Sequence, residues 1–193
     1  MNLTAMPARR LFVARAGGAT LSAATIGLLA GASGCATAQS SATAQGDVRI
    51  LNVALGLEHE AIGAYQLGAT SGLLQKPVLD IAVSFQSHHK AHRDALIATI
   101  EKLGGRPVAE KSLQEYAGAL NAASLKSQAD VLALAAKLEL GATNAYLGVI
   151  PSFTDNKLGQ VAARLAADET MHYTVLISAL GQALPTRALS FGG

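Results

Sequence analysis

Between about residues 47 and 182, apolar side chains recur every three or four positions, the spacing of one helix face. Leu51, Ala54, Leu55, Ile62, Tyr65 and Ala69 form such a stripe and predict a first helix over about 47–71. A second is expected over about 77–104, with Pro77 suited to the first helical position and Gly104-Gly105 to its end. A third spans about 127–150, from the capping Ser127 to Pro151. A fourth spans about 155–181, capped by Thr154 or Asp155 and stopped by Gly181 and Pro185. Each would be about 37 Å long. The first and third connections are short, so both pairs are antiparallel hairpins. The middle connection, about 105–126, can run the length of a bundle and holds a further short helical stretch from Leu113 to Ala122. The expected fold is all-α: one four-helix domain over 47–182, two hairpins joined by one long crossover, and a C-terminal tail over 183–193.

The first 46 residues have another character. They contain no acidic residue; Arg9, Arg10 and Arg15 precede an apolar, small-residue stretch from Ala16 to Gly34, the pattern of a secretion leader. Arg9-Arg10-Leu11-Phe12-Val13 resembles the twin-arginine export signal, which implies passage of an already folded protein across a bacterial inner membrane. Ala32-Ser33-Gly34-Cys35 resembles a lipobox, in which Cys35 would be lipidated, although Ala32 stands where a large aliphatic residue is usual. Ala36-Thr37-Ala38 and Ala42-Thr43-Ala44 offer instead the small-x-small cleavage sites of a soluble product. Residues 1–38 are therefore read as an export signal, residues 39–46, rich in Gln, Ser, Ala and Thr, as a flexible tether, and the location as periplasm or cell envelope.

Composition narrows the function. Half of the residues are hydrophobic and 15% are charged, which excludes a disordered chain, and a single Cys excludes a disulfide scaffold. The formal charge is +2, and with the three leader arginines set aside the 15 basic residues become 12 against 13 acidic ones. A nucleic-acid partner is not expected. The apolar stretch 131–150 carries Lys137 and Glu139 midway, so no second membrane span is expected. The membrane would be met only through the export signal or a lipid anchor.

The two hairpins repeat each other. Leu57-Glu58 followed by Ala64-Tyr65 matches Leu138-Glu139 followed by Ala145-Tyr146, and His89-Lys90-Ala91-His92 matches Glu169-Thr170-Met171-His172. The period is roughly 80 residues, a duplicated hairpin rather than a solenoid repeat. These polar residues lie on stripes that should be apolar: Glu58 with Leu55 and Ile62, Glu139 with Ala135 and Ala142, His89 and His92 with Phe85 and Leu96, Glu169 and His172 with Leu165 and Leu176. A carboxylate facing a core is costly unless it is paired or binds a metal. One Glu from each of two helices and a pair at i, i+3 from each of the other two is the carboxylate dimetal pattern. Tyr65 and Tyr146 lie two turns from the glutamates, placed to hydrogen-bond a ligand carboxylate.

With these residues, and with Asp47-Val48-Arg49-Ile50-Leu51-Asn52 leading into the first Glu, the chain resembles the ferritin-like superfamily over about 47–182, and within it the desiccation-related branch. The resemblance implies Glu58 and Glu139 as terminal ligands, Glu169 as a bridging carboxylate, and His92 and His172 as terminal imidazoles of an Fe or Mn centre, Zn being the third option. His89 departs from it, since the superfamily has a bridging Glu there. His89 is then a terminal ligand of an asymmetric or mononuclear site, or the mark of a site that has lost its metal. His59, Glu60, His88 and Asp168 point away from the inward face and are expected at the surface or around the ligands.

Plainer readings stand beside these. Glu58 and Glu139 can pair with Arg93 or Lys137 at the surface, His88 to Arg93 can be an exposed basic stretch, and both tyrosines can be core aromatics. Gly56, Gly63, Gly68, Gly141 and Gly148, each costing about 1 kcal/mol within a helix, point to close helix approach. Two functions follow: an exported metal protein that oxidises Fe(II) or disposes of peroxide, or a metal-free structural or stress-protection protein of the envelope. The expected partners are metal ions and, as one option, a second copy of the chain.

Overall fold

A computed structural model describes the backbone of residues 34–192 and the side chains of residues 43–192. Among the described residues five α-helices occur: α1 (Gly34–Thr70), α2 (Lys76–Lys102), α3 (Leu113–Ala119), α4 (Gln128–Val149) and α5 (Asn156–Ala179), with short 3-10 turns at Ala122–Ser124 and Ile150–Ser152. No strand occurs among the described residues. The long helices α1, α2, α4 and α5 form the expected bundle, with α1 packed on α2, α4 on α5, and α1 on α4. The caps act where the sequence places them: Pro77 lies in the first turn of α2, the Ser127 side chain accepts from the Asp130 amide, and the Asp155 side chain accepts from the Lys157 amide. Gly104 and Gly181 take the positive φ that ends α2 and α5.

One boundary differs. Among the described residues α1 runs from Gly34, so residues 39–46, expected as a flexible tether, are helical backbone. Ala, Gln, Ser and Thr carry only small helix penalties, and no Pro interrupts residues 34–46, so α1 continues back through them. The paired arginines lie outside the described residues, as does the Cys35 side chain. Among the described residues no helix is long and apolar enough to cross a membrane.

The crossover is fastened to α1. The Asn52 side-chain amide donates to the Arg106 carbonyl at 3.1 Å, and its oxygen accepts from the Val108 amide at 2.7 Å. His59 lies with Nε2 3.3 Å from the Val108 carbonyl. Farther on, Tyr116 of α3 lies against Gly63, where a Cβ would sit 2.7 Å from the ring. A Cβ at Gly68 would sit 2.9 Å from Val131 of α4. Gly56, Gly141 and Gly148 would meet nothing within 4 Å, so close approach explains only two of the five helix glycines. Asp47 joins the other end: its carboxylate accepts from the Thr154 and Asp155 amides at 2.9 and 3.2 Å.

Two apolar clusters fill the interior. One holds Leu51, Leu55, Leu96, Ile100, Tyr146 and Leu165; the other holds Tyr65, Ala82, Phe85, Leu132, Ala136 and Leu176. Each contains one tyrosine of the repeat, and the repeated polar residues lie between them along the chain.

Candidate metal centre

The inward stripes place Glu58 on α1, His89 and His92 on α2, Glu139 on α4, and Glu169 and His172 on α5. All six are buried, Glu169 and His172 completely and the most exposed, His92, at 9%. The surface pairings do not form: Arg93 bonds its neighbour Asp94, and Lys137 is exposed. Buried and unpaired by these cations, the six side chains face one another.

Five side chains form a hydrogen-bonded chain across the bundle. The Tyr146 hydroxyl donates to Glu58 Oε1. Glu58 Oε2 lies 2.8 Å from His89 Nδ1, and His89 Nε2 lies 3.1 Å from Glu139 Oε1. That same oxygen accepts from the Tyr65 hydroxyl at 2.5 Å. Each tyrosine thus serves the glutamate of the other hairpin. Burial raises both phenol pKa values well above the ordinary value, and the carboxylates they face, Glu139 for Tyr65 and Glu58 for Tyr146, add to it, so both stay protonated donors.

His92 and His172 flank this chain. His92 Nδ1 lies 3.2 Å from Glu169 Oε1 and 3.6 Å from Glu58 Oε1. His172 Nδ1 lies 3.3 Å from Glu169 Oε2 and 3.4 Å from Glu139 Oε2. Their outer nitrogens meet residues expected around the ligands: His92 Nε2 is 3.2 Å from Asp168 Oδ2, and His172 Nε2 is 3.0 Å from His88 Nδ1. Phe85 stacks on the His172 ring at 4.1 Å between centroids. Metal-binding imidazoles are commonly oriented by partners at the second nitrogen. His59 is corrected: it is 4% exposed and holds the crossover.

Charge inside the cluster is mutual. Burial disfavours imidazolium at His89, but hydrogen bonds to Glu139 and Glu58 outweigh it and raise its pKa to about 10. At His92 burial is likewise outweighed, by Glu169 and Glu58, and the value again rises to about 10. Burial lifts the Glu58 and Glu139 carboxyls, yet the histidines hold both below the usual range. At Glu169 burial prevails and the pKa is raised.

Unpaired atoms test whether a cation fits. His92 Nδ1, His172 Nδ1, Glu139 Oε2 and both oxygens of Glu169 are buried without a hydrogen-bond partner, and all face inward. Such groups are costly unless something else satisfies them. Two sets of four residues bring potential ligand atoms within 4.8 Å of one another: Glu58, His89, His92 and Glu169, and His89, Glu139, Glu169 and His172. The nitrogen and oxygen donors suit Fe, Mn or Zn. His89 and Glu169 belong to both sets.

The sequence pattern did not assign partners to the outer nitrogens. His88 and Asp168 adjoin the ligands in the chain, and that adjacency is the signal: one step along a helix turns a side chain by about 100° from the ligand face toward its flank.

Residues 46–182 match the profile of the ferritin-like domain family. No curated protein matches. Among solved structures, the chain is similar to the crystal structure of a conserved hypothetical protein, rv2844, from Mycobacterium tuberculosis, at 22% identity and a TM-score of 0.60, covering 77% of this chain and 99% of that one. That likeness concerns the fold alone.

Proposed function

Because the chain belongs to the ferritin-like domain family, we propose that its buried histidine and glutamate cluster holds a redox-active Fe or Mn ion. The observation that carries this reading is a group of five buried nitrogen and oxygen atoms without a hydrogen-bond partner, spread over two overlapping sets of four potential ligands. When bound, the metal would supply the electron transfer by which Fe(II) is oxidised with dioxygen or peroxide as the acceptor, or peroxide is reduced with Fe(II) as the donor. The protein's own contribution is to hold and orient. Glu58, Glu139 and Glu169 bring negative charge, Tyr65 and Tyr146 fix two of these carboxylates, and Asp168 and His88 hold the outer nitrogens of His92 and His172. The leader, with Arg9-Arg10 and no acidic residue, supports export in the folded state to the periplasm or cell envelope.

A second reading is favoured by His89, both of whose ring nitrogens already have carboxylate partners. Three histidines can neutralise three glutamates without any metal, leaving a structural or stress-protection protein of the envelope.

Metal content decides between them. The protein, purified without added metal or chelator, is compared by mass spectrometry with a Glu139→Ala/His172→Ala variant. Bound Fe or Mn that is lost in the variant is the expected result. Absence of metal from both, with equal thermal stability, would sink the metal reading in favour of the second.

A further inference from the structure

A neutral imidazole has one N–H and one lone pair, on different nitrogens. His89 faces Glu58 with Nδ1 and Glu139 with Nε2, so it can ligate on one side only. Both contacts, 2.8 Å to Glu58 and 3.1 Å to Glu139, are within hydrogen-bond range, and we assign the N–H to Nδ1 and the lone pair to Nε2, on the side where Glu139 Oε2 and His172 Nδ1 lack hydrogen-bond partners. We propose that the cluster holds one divalent cation rather than two, in the set His89, Glu139, Glu169 and His172, and that Glu58 is a positioning residue for His89 instead of a ligand. This deepens the metal reading and rests on it.

Three further observations point the same way. First, Glu139 Oε2, Glu169 Oε2 and His172 Nδ1 are all unpaired and buried. The nitrogen lies 3.4 and 3.3 Å from the two oxygens. Both separations match a donor–donor edge, about 3.3–3.6 Å, of a zinc-type tetrahedral set whose donors lie about 2.0–2.2 Å from the centre. Second, both Glu58 oxygens are engaged, Oε1 by the Tyr146 hydroxyl and Oε2 by His89. Glu58 then stands to His89 as a carboxylate that orients a metal-binding imidazole from outside. Third, the charges match: Glu139 and Glu169 together balance one divalent ion. A bridging glutamate at position 89 would bring the extra negative charge a second ion needs; a histidine does not.

The test is titration with Co²⁺, read by calorimetric stoichiometry and by visible absorption of the bound ion. The protein should bind one equivalent. Glu58→Gln should still bind one, with an unchanged absorption band and about 10–100-fold weaker affinity, the usual loss for an outer partner. Glu139→Gln should bind none at concentrations that saturate the parent. His89→Glu should bind two. Two equivalents in the parent, one in His89→Glu, or loss of binding in Glu58→Gln as complete as in Glu139→Gln would each overturn the inference while leaving a metal site. No Co²⁺ in either the parent or His89→Glu would overturn the metal reading itself. Circular dichroism checks folding, and if His89→Glu does not fold, the contrast between Glu58→Gln and Glu139→Gln decides alone.

Discussion

The first hairpin, α1 with α2, and the second, α4 with α5, carry the same Glu-to-Tyr spacing but differ at the third polar position, His89 in one and Glu169 in the other. The tyrosines are exchanged, each bonding the glutamate of the opposite hairpin. The repeated spacing therefore gives a frame that is close to symmetric, and one unlike residue makes its contents unequal. His89 joins Glu58 to Glu139 by hydrogen bonds, whereas both Glu169 oxygens lack a hydrogen bond and face His92 and His172 at 3.2 and 3.3 Å. A single position converts a symmetric pair of donor sets into one side built for orientation and one left open.

The largest break comes from cutting the chain at Glu58. In metal-free protein, Glu58→Ala leaves the His89 charge without its shorter partner, and stability should fall by about 3–5 kcal/mol, as for other buried pairs. Urea denaturation measures it; a loss below about 1 kcal/mol would mean that the five-residue chain contributes little.

Next in size is the response to pH. The pKa values of His89 and His92 rise from 6.5 to about 10 on folding, so their charged forms stabilise the metal-free protein. That contribution is complete below pH 6.5, where the unfolded histidines are also charged, and it is lost as pH rises through about 10. The urea midpoint of metal-free protein should therefore decline across this window, and decline less in His89→Gln. A flat midpoint in the parent would contradict the pairing. Metal affinity should move oppositely, rising with pH as protons cease to compete.

The tyrosines sharpen the comparison. Glu139 Oε1 retains His89 if Tyr65 is cut to Phe, whereas Glu58 Oε1 loses its hydroxyl donor if Tyr146 is cut to Phe. Tyr146→Phe should cost about 1–3 kcal/mol and Tyr65→Phe less, compared by thermal unfolding. Equal losses would show that the two ends are equivalent after all.

The smallest effects distinguish the outer faces. Gly63→Ala in the first hairpin would drive a methyl into Tyr116 and should destabilise by about 1–3 kcal/mol. Gly141→Ala in the second meets nothing and should stabilise by about 0.5–1 kcal/mol. Melting temperatures that move in the same direction for both would refute this difference.

The helices were legible because their signals are local. A stripe of apolar residues, Pro77, Ser127 and Gly181 act within a turn or two of themselves. The inward placement of Glu58, Glu139, Glu169 and His172 was legible for the same reason, since each shares a stripe with apolar residues. Partnership across the bundle was not. Nothing near Tyr146 in the chain says that its hydroxyl meets Glu58, 88 positions earlier. Residues 39–46 read as a tether because Ser, Thr and Gln are common to linkers and to helix turns alike. His59 was misplaced because the crossover that buries it has no periodicity to show where it runs.

The Asp47 carboxylate, clasped by the amides of Thr154 and Asp155, has a mechanical meaning. It lies about three helical turns ahead of Glu58. A pull on the chain ahead of residue 46 therefore reaches Asp47 first and is shunted into the start of α5. The clasp would divide such a force between α1 and the start of α5 before it reaches the ligand turns.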